Sequence, residues 1–122
     1  MYRISAESRF SAAHRLNGYE GNCRRVHGHN WTVKAQIATS VLDGRGLAFD
    51  FRDLSSHLKD IIDQFDHRLL NDIPPFDSIN PSSENIAKYI YDALKKRLPD
   101  HICLVYVETS ESDKYSAMYS EE

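Results

Sequence analysis

The chain has 122 residues, of which 41% are hydrophobic and 27% charged, ordinary proportions that exclude disorder as its main character. That length is one domain's worth at roughly 100–200 residues per domain, so residues 1–122 read as a single unit. A net charge of −3 argues against a general nucleic-acid binder, and no stretch approaches the ~18 apolar residues of a membrane span. The N-terminus, MYRISAESRF, lacks a signal-peptide apolar core, so a cytoplasmic protein is expected, in which Cys23 and Cys103 are free thiols rather than a disulfide scaffold. A chain this short buries only about 65% of its surface, so oligomerisation would help it.

Residues 3–14 alternate. Ile4, Ala6, Phe10, Ala12 and His14 share one face, broken only by Ser8, which is the period of a half-buried strand. After a loop over 15–26 the alternation returns across 27–37, with Trp31, Val33, Ala35 and Ile37 on one face with His27 and His29. Two such neighbours predict an antiparallel pair. Asp43-Gly44 signals a turn, and Asp50 is a candidate N-cap for a helix with Leu54, Leu58, Ile61 and Ile62 on one stripe. Pro74-Pro75 reads as a turn. A second helix begins near Pro81-Ser82-Ser83, carries Ile86, Ile90 and Leu94, and ends in the cations Lys95-Lys96-Arg97 before Pro99. Residues 102–109 read as a covered strand, apolar on both faces, and residues 115–119 as a short final one. The acidic tail Ser120-Glu121-Glu122 reads as solvated. The order ββααββ predicts an α+β fold, an antiparallel sheet with two helices on one face.

His14 ends the first strand pattern, and His27 and His29 begin the second. A hairpin would gather three imidazoles over one patch. Burying them unpartnered costs ~1–3 kcal/mol each, and a metal supplies all three partners at once. Three neutral imidazoles are a common catalytic zinc set with a fourth position open. The alternative is a structural site with Cys23, the only nearby thiol, as fourth ligand. Arg24 and Arg25 beside Cys23 favour thiolate, a nucleophile or general base, although a small loop residue without a role has the same signature. Asp66-His67 reads either as a proton-transfer imidazole oriented by its carboxylate or as a histidine on a helix C-terminus. Glu108, in the weakly charged run VYVET, falls with Ile102, Leu104 and Tyr106. It either faces solvent at the strand end or pairs with a cation or with two adjacent N–H donors, such as an aminopyrimidinone edge. Cys103 reads as packing.

FSAAHRL, then C-x-x-x-H-G-H from Cys23 to His29, LAFDF-x-x-L, FDHRLLND, PSSENIA and VYVET together resemble the 6-pyruvoyltetrahydropterin synthase family over residues 10–109. The three-residue gap between Cys23 and His27 is similar to the bacterial branch, 6-carboxytetrahydropterin synthase of the queuosine (7-deazapurine) pathway. The resemblance implies a tunnelling fold whose subunit sheets join into a barrel, a homohexamer of two trimers with active sites between subunits. It implies Zn²⁺ on His14, His27 and His29, proton transfer by Cys23, Asp66 and His67, and a pterin ring anchored by Glu108 near Ser82 and Ser83. The two serines also read as helix caps. The implied activity is a lyase reaction turning 7,8-dihydroneopterin triphosphate into 6-carboxy-5,6,7,8-tetrahydropterin, acetaldehyde and triphosphate, with Arg24 and Arg25 as candidate triphosphate contacts. Triphosphate elimination to the pyruvoyl product and a dihydroneopterin aldolase-like reaction are the alternatives within the class. A zinc-stabilised binding protein is the alternative outside it.

Overall fold

A computed structural model describes residues 1–18 and 25–121. Two long strands, β1 (Tyr2–His14) and β2 (His27–Thr39), pair antiparallel along their whole length, with Phe10 opposite Trp31 and His14 opposite His27. The alternation read from the sequence is the register observed: Phe10, Ala12, Trp31, Val33, Ala35 and Ile37 are buried on one face. Helix α1 (Phe51–Ile62) starts at Asp50, whose carboxylate accepts from the Arg52 backbone N–H, and helix α2 (Ser83–Lys95) at Ser82, whose hydroxyl accepts from the Asn85 N–H. Both helices lay an apolar stripe on the same sheet face, Leu54, Leu58, Ile61 and Ile62 from α1 and Ile86, Ile90, Tyr91 and Leu94 from α2. A fully buried leucine such as Leu58 contributes roughly 1.5–3 kcal/mol through its burial.

The sheet has five strands in the order β3-β1-β2-β4-β5, where β3 is Arg68–Leu69, β4 Cys103–Ser110 and β5 Ser116–Tyr119. The two-residue β3 departs from the expected ββααββ order. It pairs parallel to β1 at Ala12 and Ala13, so the sheet is mixed rather than wholly antiparallel. Two residues are too few to carry a period, and this strand exists because the chain leaving α1 runs beside β1. A 3₁₀ turn over Leu70–Asp72 follows.

Strand β4 corrects the reading of Glu108. Tyr106 pairs with Gln36 but Leu104 with Ile37, so Val105 is an extra residue at a bulge. One extra residue reverses the parity of everything beyond it. Leu104, Val107 and Thr109 therefore share the helix-covered face, and the Thr109 hydroxyl donates to the Ser83 carbonyl. Glu108 lies on the other face, across from Lys34 and not beside Ile102 and Leu104. For the same reason β4 is covered on one face only. Cys103, read as packing, is exposed. The tail also differs from expectation, because Glu121 pairs with Lys95 at 2.9 Å and accepts from the Tyr119 hydroxyl at 2.8 Å.

Candidate functional site

His14, His27 and His29 converge where β1 ends and β2 begins. One ring nitrogen from each lies within 4.8 Å of the others, so together they could hold a metal ion. Their hydrogen bonds fix which nitrogens are free. His14 Nδ1 is 2.7 Å from the Pro81 carbonyl and His27 Nδ1 is 2.7 Å from the Arg25 carbonyl. A carbonyl only accepts, so both Nδ1 atoms carry the proton and both Nε2 atoms present a lone pair. The Nε2 atoms of His14 and His29 are buried with no hydrogen-bond partner. Burial, the largest cause, holds the pKa of both rings below the usual imidazole value. The neighbouring histidines push the same way, while Glu111 opposes, as does the Pro81 bond for His14. Neutral rings with unpartnered lone pairs are what a transition metal requires.

Trp31 forms the wall behind the trio. Its indole is fully buried, stacks on Phe10 and meets the His14 and His29 rings edge-on at 5.0 and 5.4 Å. The Trp31 Nε1–H donates to the Ala12 carbonyl at 3.3 Å. The geometry of the histidine trio thereby rests on the hydrophobic core.

Beside the trio lies a groove of about 520 Å³ lined by Ser11, Ala13, His29, Asn30 and His67 among others. His67 borders it, with Asp66 directly behind. The Asp66 carboxylate accepts from the Ser11 backbone N–H at 2.9 Å, which holds its pKa below the ordinary carboxylate value, and its other oxygen lies 3.1 Å from His67 Nδ1. His67 has φ 59°, a left-handed conformation that costs a non-glycine residue energy, and its backbone N–H donates to the Ser11 carbonyl at 2.6 Å. The sheet edge holds this strained residue with its ring exposed toward the groove.

The other sequence-predicted residues fall in three places. Ser82 and Ser83 adjoin Pro81, one residue from the carbonyl that fixes His14; Ser82 serves as the helix cap and Ser83 accepts from Thr109 through its carbonyl. Glu108 points away from the trio, with its carboxylate 3.4 Å from the Ser116 hydroxyl. Cys23 and Arg24 lie outside the described residues, whereas Arg25 is exposed and supplies the carbonyl to His27.

Several residues were missed. Asn71 accepts from the Arg15 N–H and donates to its carbonyl, and Asn80 does the same to Asn17. These two side-chain amides hold the segment leading from His14 toward Cys23. Glu111, just past β4, stands 3.8 Å from His14 Nε2 and 3.6 Å from His29 Nε2. Parity was the available signal, because Val107, Thr109 and Glu111 continue one face.

A model of the 6-pyruvoyl tetrahydropterin synthase family matches residues 3–122. The chain belongs to this family. A pterin synthase from Synechocystis, 6-carboxy-5,6,7,8-tetrahydropterin synthase, is 37% identical over 101 residues, covering 79% of this chain and 77% of the relative. The human family member, 6-pyruvoyl tetrahydrobiopterin synthase, is 31% identical over 134 residues, covering 98% of this chain and 92% of its own. The solved structure of Caenorhabditis elegans 6-pyruvoyl tetrahydropterin synthase superposes with a TM-score of 0.86 at 27% identity, covering 99% of this chain and 96% of that one. The fold is thus the family's tunnelling fold, and the chain is an enzyme of the pterin synthase family. No helix among the described residues is long and apolar enough to cross a membrane.

Proposed function

We propose that this enzyme is a zinc-dependent lyase that converts 7,8-dihydroneopterin triphosphate and water to 6-carboxy-5,6,7,8-tetrahydropterin, acetaldehyde and triphosphate, a step toward queuosine and related 7-deazapurines. The observation that carries the reading is the trio of converging imidazoles, two with buried, unpartnered Nε2 atoms. The set fits zinc, since three neutral imidazoles are a familiar catalytic zinc set and the Pro81 and Arg25 carbonyls orient two of the rings from behind. When bound, zinc supplies Lewis acidity to oxygens of the substrate side chain.

The chain's own groups do the rest. Cys23, in the loop before His27, takes the proton from the side-chain carbon next to the pterin ring. His67 exchanges protons on the opposite side of the substrate. Its Nδ1 faces the Asp66 carboxylate, which leaves Nε2 to work in the groove. The hydrogen bonds that join Asp66 and the His67 backbone to Ser11 position that pair against β1. Glu108 accepts two N–H donors of the aminopyrimidinone edge, with Ser82 and Ser83 near the ring. Because Glu108 faces away from the trio, a complete site takes Glu108 from a second copy, as in a hexameric barrel of two trimers. The 37% identity to the Synechocystis enzyme and the short Cys23–His27 spacing favour the carboxy product over the pyruvoyl one.

The test is incubation of the zinc-loaded protein with dihydroneopterin triphosphate and mass analysis of the products. Acetaldehyde with a carboxylated tetrahydropterin is expected. A pyruvoyl or hydroxymethyl pterin instead would move the enzyme to another branch, and unchanged substrate would refute the reading.

A further inference from the structure

The position of Glu111 is chemically odd unless a cation lies beside it. His14 Nε2 is a bare lone pair, because its Nδ1 proton is committed to the Pro81 carbonyl. Glu111 Oε2 stands 3.8 Å from that atom and 3.6 Å from His29 Nε2, the same two nitrogens that are buried without a partner. Lone pair facing carboxylate is repulsive, and among the described residues Glu111 makes no hydrogen bond. A cation between them would satisfy every group at once. The spacing suits one, since donors about 2.0–2.1 Å from a tetrahedral zinc lie about 3.3 Å from each other, a few tenths of an ångström inside the observed separations.

We propose that Glu111 is a fourth protein donor to the zinc centre, occupying in the resting enzyme the coordination position that substrate later takes. This rests on the zinc reading above. Glu111 sits just beyond β4 on the connection to β5, and its side chain is 30% exposed, so it has room to swing out. Three neutral imidazoles and one carboxylate leave the centre with a single positive charge. The carboxylate therefore strengthens metal retention and keeps small anions off the metal until substrate displaces it.

The test compares wild type with Glu111→Gln and His14→Ala. Zinc affinity is measured by chelator competition, and the Co²⁺-substituted proteins are titrated with azide while their visible absorption is followed. Glu111→Gln is expected to weaken zinc binding about tenfold to a hundredfold. Its Co²⁺ spectrum should differ from wild type before azide is added, and azide should bind it more tightly. Equal affinities and spectra in wild type and Glu111→Gln, with metal lost only in His14→Ala, would overturn the proposal and leave the zinc reading standing. Weaker zinc binding with identical azide titrations would also overturn it, because Glu111 would then act without occupying the position. Wild type and His14→Ala binding zinc alike would refute the zinc reading itself. Melting of each metal-free variant checks that the fold is retained.

Discussion

Replacing Trp31 by phenylalanine tests whether the metal trio depends on the core beneath it. Phenylalanine keeps the stack on Phe10 but gives up the bond from Nε1 to the Ala12 carbonyl and part of the wall behind His14 and His29. The hydrogen bond is worth about 1 kcal/mol net. The side chain shrinks by about 40 Å³, which at ~24 cal/mol per Å³ of unrelaxed cavity adds about 1 kcal/mol, and the lost apolar contact adds up to about 1 more. The expected loss is about 2–3 kcal/mol, a fall in Tm of about 8–12 °C at ~2.1 cal/mol/K per residue over this length. Urea denaturation followed by circular dichroism measures it, since Trp31 is the only tryptophan and the variant has no indole fluorescence to follow. Zinc affinity should fall with it, because the two rings lose the surface that orients them. A loss below about 1 kcal/mol, or an unchanged zinc affinity in a destabilised variant, would refute the coupling between core and site.

Three further outcomes follow from the same geometry. The pKa values of His14 and His29 are depressed in the folded protein, so the unfolded chain binds more protons at mildly acidic pH. Stability of the metal-free protein should be level above about pH 6.5 and fall below it by up to about 1.4 kcal/mol per pH unit for each ring, seen in urea midpoints against pH. Asp66→Asn keeps an oxygen for the Ser11 N–H but removes the charge facing His67, so turnover should drop by about 10²-fold or more while the melting curve barely moves. Ser82→Ala removes the cap on α2 and should cost about 1 kcal/mol, or about 4 °C in Tm by calorimetry.

Where the chain kept one period for many residues, its structure could be read in advance. β1 and β2 alternate for thirteen residues each, and that pattern alone aligned His14, His27 and His29 on one face. Both helix starts were legible because Asp50 and Ser82 are capping residues directly before an apolar stripe. The bulge at Val105 was not, since an inserted residue leaves composition unchanged while reversing the side on which Glu108 emerges. Glu111 continues the face of Val107 and Thr109, but that parity places it at the trio only once the pairing of β4 is known, and Glu121 on Lys95 had no periodic signal because its partner lies far away in sequence.

The bulge has an arithmetical consequence. With the Glu108 carboxylate on one side of the sheet and the imidazoles on the other, the proposed completion of the site by a second copy would have each copy contribute two halves to two different pockets. A ring of n copies then completes n pockets, but an open string of n completes only n − 1 and strands one half at each end. Specific activity per chain would therefore report ring closure, and dilution that opens the ring would silence pockets before it unfolds a single chain.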